Sequence, residues 1–426
     1  MILLYKVLIT LLYPFLIIVI YVRKLLKKED AYRFKEKIFV SNFNTFHKNK
    51  SKLVWFHAAS IGEFKSIIPI LNQLNKDKNN LKFLITTTTL SSGNLARIEL
   101  QKFDNVTHRY LPLDIPFLIE KFLLSWKPDK IFLVDSEIWP NLIFKAKNKK
   151  IPIALINARL TQKSFDRWVM FPHSAKKIFN IFDLCICSNT QTKEFLEKLG
   201  AKNIFFKGNI KFISQNENEK NKINDKIILP KRFWFAASTH RDEDIVCLKT
   251  HLRLKEKFND IITIIAPRHI ERSREIKSLS SKLNLNAQIV NKDQIISQGK
   301  EIIIINYFGA LNDFFKYAKS VFIGKSMIKK LEKEGGQNPI EAAKLNCKIY
   351  HGPYIYNFKQ IYEILEMNSI SKKINSYEEL SENLIKDLEN PSKLNDKTPE
   401  SLEKLSKKTL DDTMILLNKF LFNDVK

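Results

Sequence analysis

Two segments in the first half of the sequence place acidic side chains directly after apolar runs. Residues 57–63 (HAASIGE) lead into a helical pattern that puts Glu63 in its first turn. A carboxylate in that position can accept a proton from an attacking hydroxyl group. Glu63 is therefore a candidate general base, and simple helix capping is the alternative that the spacing leaves open. Residues 135–141 (DSEIWPN) also follow an apolar run, and Glu137 is a second candidate catalytic residue that could hold sugar hydroxyls or orient the base.

Three segments of the second half have the residue types of a nucleotide site. Residues 237–240 (ASTH) and 266–269 (APRH) each end an apolar run, and residues 335–341 (GGQNPIE) open a helical pattern. Free backbone N–H groups at a helix start favour phosphate, and an arginine can pair with the same phosphate. An ordinary turn is the alternative for the paired glycines. The candidate donor-site residues are Ser238, Arg268, Gly335, Gly336, Asn338 and Glu341.

These segments lie between short apolar runs that alternate with helical patterns. Runs such as Lys52–His57 and Lys130–Asp135, and in the second half Ile261–Pro267, are typical of parallel strands buried on both faces. Ligands bind at the carboxyl ends of such strands. We therefore expect an α/β protein with two Rossmann-like, doubly wound domains that face each other across a cleft.

Changes in composition predict the domain boundaries. Residues 213–226, almost without apolar side chains, are expected to form a linker between an N-terminal domain (30–212) and a C-terminal domain (227–395). Residues 1–28 form a predicted membrane anchor. Residues 396–426 form a predicted C-terminal helix that packs back toward the cleft.

The charge of the chain points to an anionic partner. Its 426 residues include 71 Lys and Arg against 45 Asp and Glu, a net charge of +26, and residues 1–210 contribute 34 basic and 16 acidic side chains. A bias in amino-acid usage with solvated lysines is the alternative explanation. Basic runs with interleaved aromatic residues are absent, so nucleic acid is not a predicted partner. No GxGxxG segment or metal-binding motif occurs, and the four cysteines match neither a zinc site nor a disulfide framework.

The first 22 residues are almost entirely apolar and are followed by a strongly basic segment. A cleavable signal peptide has its charge before the apolar run, so an uncleaved anchor is the better interpretation. About 20 apolar residues reach across a bilayer core, and the basic flank favours the cytoplasmic side. A helix that lies in the membrane interface and bends at Pro14 is the alternative.

Taken together, the motifs resemble those of the 3-deoxy-D-manno-octulosonic acid (Kdo) transferases of Gram-negative lipopolysaccharide synthesis. The segments that carry the resemblance are HAASIGE (57–63), SEIWPN (136–141), NARL (157–160), GNIKF (208–212), AASTH (236–240), PRH (267–269), GGQNPIE (335–341) and HGPYIYNF (351–358). The chain departs from the family pattern at Asp135, at Lys325 and at Gln337, which replaces a histidine.

The resemblance implies a GT-B glycosyltransferase that binds its acceptor in the first domain and a CMP-sugar in the second. It implies transfer of Kdo from CMP-Kdo to a lipid A precursor (lipid IVA), with inversion at the anomeric carbon, Glu63 as general base and no essential metal or cofactor. The expected location is the cytoplasmic face of a bacterial inner membrane, against its anionic surface. A UDP-sugar transferase or sugar-nucleotide epimerase of the same fold, and a membrane-tethered polyanion-binding protein, are the alternatives.

Overall fold

The computed structural model describes residues 2–43, 51–76, 80–213, 228, 230–307, 309–389 and 400–422. The chain divides into two compact units, one comprising Met1–Gln215 and Leu405–Lys426 and the other Asn216–Lys404. Residues 214–226 of the predicted linker lie outside the described part of the chain, and the predicted boundaries 30–212 and 227–395 stay predictions.

The first unit is built on a parallel sheet with the strand order β3-β2-β1-β4-β5-β6-β7. Apolar side chains cover both faces of this sheet. In strands such as β1, successive apolar side chains point alternately toward two separate helical layers. Its strands are β1 (Lys52–His57), β2 (Leu81–Thr87), β3 (Val106–Tyr110), β4 (Lys130–Val134), β5 (Ile153–Ala158), β6 (Leu184–Cys187) and β7 (Ile204–Phe206). Its helices are α1 (Ile2–Leu11), α2 (Tyr13–Leu25), α3 (Ile61–Lys76), α4 (Leu90–Glu99), α5 (Pro116–Trp126), α6 (Pro140–Asn148), α7 (Gln162–Val169), α8 (Pro172–Phe179) and α9 (Thr190–Lys198).

The second unit repeats this architecture with the strand order β10-β11-β9-β8-β12-β13-β14, again with parallel pairing. Its strands are β8 (Phe233–Thr239), β9 (Ile262–Pro267), β10 (Ala287–Val290), β11 (Ile302–Ile305), β12 (Ser320–Ile323), β13 (Lys348–His351) and β14 (Ser371–Lys373). Its helices are α10 (Glu243–Lys255), α11 (Ser273–Lys282), α12 (Leu311–Phe315), α13 (Ile340–Lys344), α14 (Lys359–Met367) and α15 (Tyr377–Glu389). The predicted α/β class with parallel, doubly wound sheets is confirmed.

The predicted N-terminal anchor is not confirmed as a single helix, because the apolar N-terminus forms two helices. Helix α1 ends at Leu11, and α2 begins at Tyr13 with Pro14 in its first turn. Pro14 lacks a backbone N–H and its ring crowds the preceding turn, which explains the break. Within the described residues, no single helix is long and apolar enough to span a membrane; α1 and α2 meet those criteria only as a pair, bent by 58°.

A long C-terminal helix, α16 (Glu400–Phe422), returns to the first unit. Its residues Met414, Leu417 and Phe420 join the apolar layer that also contains α3. The rings of Phe420 and Phe132 lie 5.3 Å apart, edge to face. Residues 400–422 of the predicted C-terminal segment are therefore helical and contribute to the core of the first unit, whereas packing toward a cleft stays a prediction.

Candidate active site

Glu63 lies in the first turn of α3, and hydrogen bonds from the preceding loop hold its carboxylate. The backbone N–H of Ala59 donates to its Oε2 (2.7 Å), and the Ser60 hydroxyl donates to its Oε1 (2.8 Å). The side chain is half-buried, and a Cβ added at the neighbouring Gly62 would have no atom within 4 Å. A carboxylate has about four lone-pair positions, so the two capping bonds leave unused acceptor capacity on Glu63.

The pKa of Glu63 is raised above its ordinary value. Burial is the largest cause, and the negative charges of Asp135 and Glu137 raise the pKa further. The hydrogen bonds from Ser60 and Ala59 act in the opposite direction. A carboxylate with a raised pKa is a stronger base than an exposed one, which suits proton abstraction near neutral pH.

Glu137, the second predicted catalytic acid, is held by hydrogen bonds from neighbouring side chains. Its Oε2 accepts a hydrogen bond from Trp139 Nε1 (2.7 Å) and lies 3.3 Å from Nε2 of the buried His57. The other nitrogen of His57, Nδ1, lies 2.9 Å from the Thr86 hydroxyl. The ring therefore links Glu137 to the end of β2, and Trp139 serves as a hydrogen-bond donor in addition to its packing role.

Asp135 is paired with a cation that the sequence interpretation did not assign. Lys211 Nζ lies 2.5 Å from Asp135 Oδ2, and Asp135 is buried. The buried Asn157 holds the lysine-bearing loop, because its Oδ1 accepts the backbone N–H of Ile210 (3.0 Å). Lys211 lies within the GNIKF segment, so that segment already contained the signal. The pair offsets part of the negative charge around Glu63.

The topology explains why these acids meet. Glu63 follows β1 and Glu137 follows β4, which are neighbours at the point where the strand order of the sheet reverses. Such a switch point is where ligands bind in doubly wound sheets. Asp135 has a φ of 63° and Asn157 a φ of 52°, in the left-handed region. Each such conformation costs about 1–3 kcal/mol and is concentrated at functional sites.

In the second unit, the predicted donor-site residues also surround a switch point. Ser238 belongs to β8, which pairs with β12 where the strand order reverses, and Lys325 follows β12. Both residues have left-handed backbone conformations, with φ values of 57° and 59°. Arg268, which is exposed, is attached beside them because its backbone N–H donates to Thr239 O (2.9 Å).

A buried carboxylate orders the loop between β12 and the glycine pair. The two oxygens of Glu243 accept four backbone N–H groups, two on each oxygen, at 2.7–2.9 Å. The donors are His240, Lys325, Ser326 and Met327. The Gly324-Lys325-Ser326 segment resembles the end of a phosphate-binding loop, but its Lys325 and Ser326 amides bond to this internal carboxylate and its Gly324 amide bonds to Ala237 O (2.9 Å). The sequence analysis did not identify this contact, because Glu243 and its partners Lys325 and Ser326 are more than 80 positions apart in the chain.

The backbone amide of Gly336, the second of the paired glycines, is not free as the sequence suggests. The N–H of Gly336 donates to Lys325 O (2.6 Å), and a Cβ on Gly335 would lie 2.2 Å from Tyr354 O. Gly336 also has a φ of 88°, which favours glycine. Close packing of three loops is therefore the physical reason for both glycines. The turn brings Gln337 Nε2 to 3.5 Å from His240 Nε2.

The group around this turn is cationic. The pKa of His240 is lowered to about 4, mainly by burial and also by the positive charges of Lys325 and His269. Arg272 forms a buried ion pair with Asp244, whereas no ion pair of Arg268 or Lys325 is present within the described part of the chain. Excess positive charge here can bind a phosphate group.

The last two predicted donor-site residues lie at the start of α13. Asn338 Oδ1 accepts the backbone N–H of Ile340 (3.2 Å), so its side chain caps the turn. Glu341 is half-buried in the first turn of the same helix. The structure thus brings Glu63 and Glu137 together in the first unit, and it places all six predicted donor-site residues in the second.

Comparison with known structures defines the class of the fold. The chain superposes on a UDP-N-acetylglucosamine 2-epimerase, putative, from Listeria monocytogenes with a TM-score of 0.58 at 14% identity, covering 88% of this chain and 98% of the other. A glycosyltransferase from Rickettsia africae gives a TM-score of 0.56 at 10% identity, covering 88% and 100%. At such identities only the fold is shared, and it is GT-B-like.

Sequence comparison identifies the family. Residues 32–214 match the family model of the 3-deoxy-D-manno-octulosonic-acid transferase (kdotransferase). The chain is 30% identical over 426 residues to the 3-deoxy-D-manno-octulosonic acid transferase of Rickettsia bellii, covering 98% of this chain and 99% of the relative. The chain therefore belongs to the Kdo transferase family and is a glycosyltransferase, which confirms the resemblance found in the motifs.

Proposed function

We propose that the enzyme transfers Kdo from CMP-Kdo to a lipid A precursor of the lipid IVA type, with inversion at the anomeric carbon, in lipopolysaccharide synthesis. The acceptor hydroxyl attacks C2 of Kdo while Glu63 takes its proton. The bond between C2 and the phosphate oxygen breaks, and CMP leaves with the bonding electron pair. The proton on Glu63 is then released to water.

The single observation that carries this proposal is the environment of Glu63. Its side chain is half-buried, its carboxylate accepts only two hydrogen bonds from the preceding loop, and its pKa is raised. A positioned general base of this kind contributes typically about 10²–10⁴-fold in rate. Glu137 is proposed to orient the acceptor and to keep the pKa of Glu63 high through its negative charge.

The cationic group of the second unit supports the choice of a nucleotide-sugar donor. Arg268 and Lys325 supply positive charge for the phosphate of CMP, which carries two negative charges once it leaves. Ser238, Asn338 and Glu341 are proposed to bind the remainder of CMP-Kdo. We propose that the transfer needs no essential metal, since these fixed cations can stabilise the leaving group.

The N-terminal helices support a membrane location. One side of α1 is attached to the first unit through Tyr5, whose hydroxyl donates to Asp114 Oδ2 (2.9 Å). On its other side, Leu3 and Leu11 are 75% and 72% exposed, and Leu25 of α2 is 77% exposed. We propose that this apolar surface enters the cytoplasmic face of the inner membrane, and that the basic residues after it contact anionic lipid headgroups. The lipid-linked acceptor is found in the same membrane.

Product formation tests the proposal. Purified enzyme is incubated with lipid IVA and CMP-Kdo generated in situ, and the products are analysed by mass spectrometry and NMR. We expect addition of Kdo with inverted anomeric configuration, and we expect activity to survive chelation of divalent metals. Parallel reactions replace CMP-Kdo by UDP-sugars. Transfer from a UDP-sugar, or retention of configuration, would contradict the proposal.

A further inference from the structure

The turn between α7 and α8 exposes three consecutive large apolar residues. Val169, Met170 and Phe171 are 48%, 72% and 46% exposed. The residue before them is packed against α8, because the ring of the half-buried Trp168 contacts the Phe179 ring at 5.3 Å, edge to face. The apolar tip, defined as Val169–Phe171, therefore projects from a fixed base. A contiguous exposed apolar patch of this kind marks an interaction site.

The helices on both sides of the apolar tip carry a basic rim. Arg167 precedes the tip, and Lys176 and Lys177 follow it within α8; all three are exposed. The acidic residue of this stretch, Asp166, accepts a hydrogen bond from Gln162 Nε2 (2.8 Å). Apolar side chains surrounded by long cations match the headgroup region of an anionic bilayer, where the apolar groups insert and the cations contact phosphates. Charge therefore favours a lipid surface over a neutral protein partner.

The apolar tip belongs to the same helical layer as the N-terminal helices. Ile2 and Ile9 of α1 pack against the same apolar core as Phe165 and Trp168 of α7. Helix α6 lies between the two elements, since it packs beside α8 and its Phe144 ring lies 5.2 Å from Lys6 Nζ. This layer covers one face of the first sheet. The exposed apolar residues of α1 and the apolar tip are thus on one side of the unit.

We propose that the apolar tip is a second membrane-contacting element, which inserts into the headgroup region of an anionic bilayer and supplements the N-terminal helices. The proposal deepens the membrane location given under the proposed function and rests on it. It does not depend on the identity of the transferred sugar. It assigns to residues 167–177 the recognition of anionic phospholipid.

Vesicle binding of the full-length chain tests this inference. The tip variant replaces Val169, Met170 and Phe171 by serine, and the rim variant replaces Arg167, Lys176 and Lys177 by serine. Ile98→Ser is the matched control, because Ile98 is 63% exposed on α4, which packs on the other face of the same sheet. Flotation is measured with vesicles of phosphatidylcholine alone and of phosphatidylcholine with phosphatidylglycerol.

We expect the tip variant to bind both kinds of vesicle at least tenfold more weakly. The rim variant should lose about fivefold per cation on the anionic vesicles only, and Ile98→Ser should bind as the unaltered chain does. Unchanged binding of the tip variant, or an equal loss for Ile98→Ser, would overturn the proposal. So would a result in which the tip variant changes only the oligomeric state in sedimentation, since the tip would then contact a second copy.

A parallel assay separates this inference from the proposed function. Kdo transfer to a detergent-dispersed acceptor does not need a bilayer, so the tip variant should retain the activity of the unaltered chain there. Absence of transfer by the unaltered chain would contradict the proposed function and would leave the vesicle result standing. Melting temperatures of the variants establish that each is folded.

Discussion

Replacing Glu63 by glutamine distinguishes a general base from a residue that only caps α3. Glutamine has nearly the same shape, and its carbonyl oxygen can still accept the backbone N–H of Ala59, which bonds to Glu63 at 2.7 Å. The substitution removes the negative charge and the ability to accept a proton. Ser60→Ala is the matched variant, because it removes the hydroxyl that donates to Glu63 at 2.8 Å and leaves the carboxylate in place.

The expected magnitudes separate the two roles. Glu63→Gln loses the hydrogen bond that the Ser60 hydroxyl donates to the carboxylate, and Ser60→Ala loses that bond together with the longer one that its oxygen accepts from the Glu63 N–H (3.4 Å). Each loss is worth about 1 kcal/mol of unfolding free energy. That loss is small beside the about 5–15 kcal/mol that stabilises a typical domain, so both variants should remain folded. Glu63→Gln should reduce the turnover number by about 10²–10⁴-fold, because the base is lost. Ser60→Ala should change turnover by less than about tenfold, because the base remains.

The assay combines chemical denaturation with initial rates of Kdo transfer at saturating CMP-Kdo and acceptor. Equilibrium binding of CMP-Kdo is measured for both variants and should be close to that of the unaltered enzyme, since Glu63 does not belong to the proposed donor site. If turnover of Glu63→Gln falls no further than that of Ser60→Ala, while both lose similar stability, Glu63 is a helix cap and the proposed mechanism is wrong.

Three further predictions concern the residues around the two switch points. Arg268→Ala should weaken CMP-Kdo binding, measured by calorimetry, by about 10–100-fold, because a hydrogen bond to a charged group is lost. Arg232→Ala, which lies just before the opposite end of β8, should leave binding unchanged. Equal affinities of the two variants would exclude Arg268 from the donor site. Glu137→Gln removes a negative charge that raises the pKa of Glu63, so the acidic limb of the profile of kcat/KM against pH should move to lower pH. The control is Glu120→Gln, because the carboxylate of Glu120 pairs with Lys145. If the limb does not move in Glu137→Gln, the assignment is wrong. Glu243→Gln leaves two buried N–H groups facing an amide NH₂, so it should lower the unfolding free energy by about 2–6 kcal/mol. Asp242→Asn changes the neighbouring, exposed residue and should alter the unfolding free energy little. Similar stability of the two variants would refute the role of Glu243.

The sequence predicts most of the sheets, because buried parallel strands are continuous apolar runs. Three strands were missed, namely Val106–Tyr110, Ala287–Val290 and Ser371–Lys373, and all three lie at sheet edges. An edge strand is paired on one side only and tolerates polar residues, so Val106–Tyr110 contains Thr107, His108 and Arg109. Its apolar signal is therefore too weak to distinguish it from a loop.

Candidate site residues could be predicted where the residue type and its position after a strand are visible in one short segment. Glu63 and Glu137 each follow an apolar run, and that pattern together with the family resemblance made them candidates, whereas the pairing of their strands is visible only in the structure. The Lys211–Asp135 pair joins residues 76 positions apart, and only the folded sheet shows that they meet. The sequence wrongly suggested a free amide at Gly336. A Gly-Gly turn has the same sequence whether its amides face a ligand or, like that of Gly336, bond to another loop.

Each unit has a glutamate in the first turn of the helix that follows its first strand, and the difference between the two argues for the role of Glu63. Glu63 lies three residues after the Ala-Ala-Ser segment 58–60, and Glu243 lies five residues after the Ala-Ala-Ser segment 236–238. Glu243 is 1% exposed and accepts four backbone N–H groups, which fills the lone-pair positions of a carboxylate. Glu63 accepts two hydrogen bonds from its loop and is only half-buried, so a substrate hydroxyl can still bond to it. A first-turn glutamate is therefore a structural carboxylate in one unit and a chemically available one in the other.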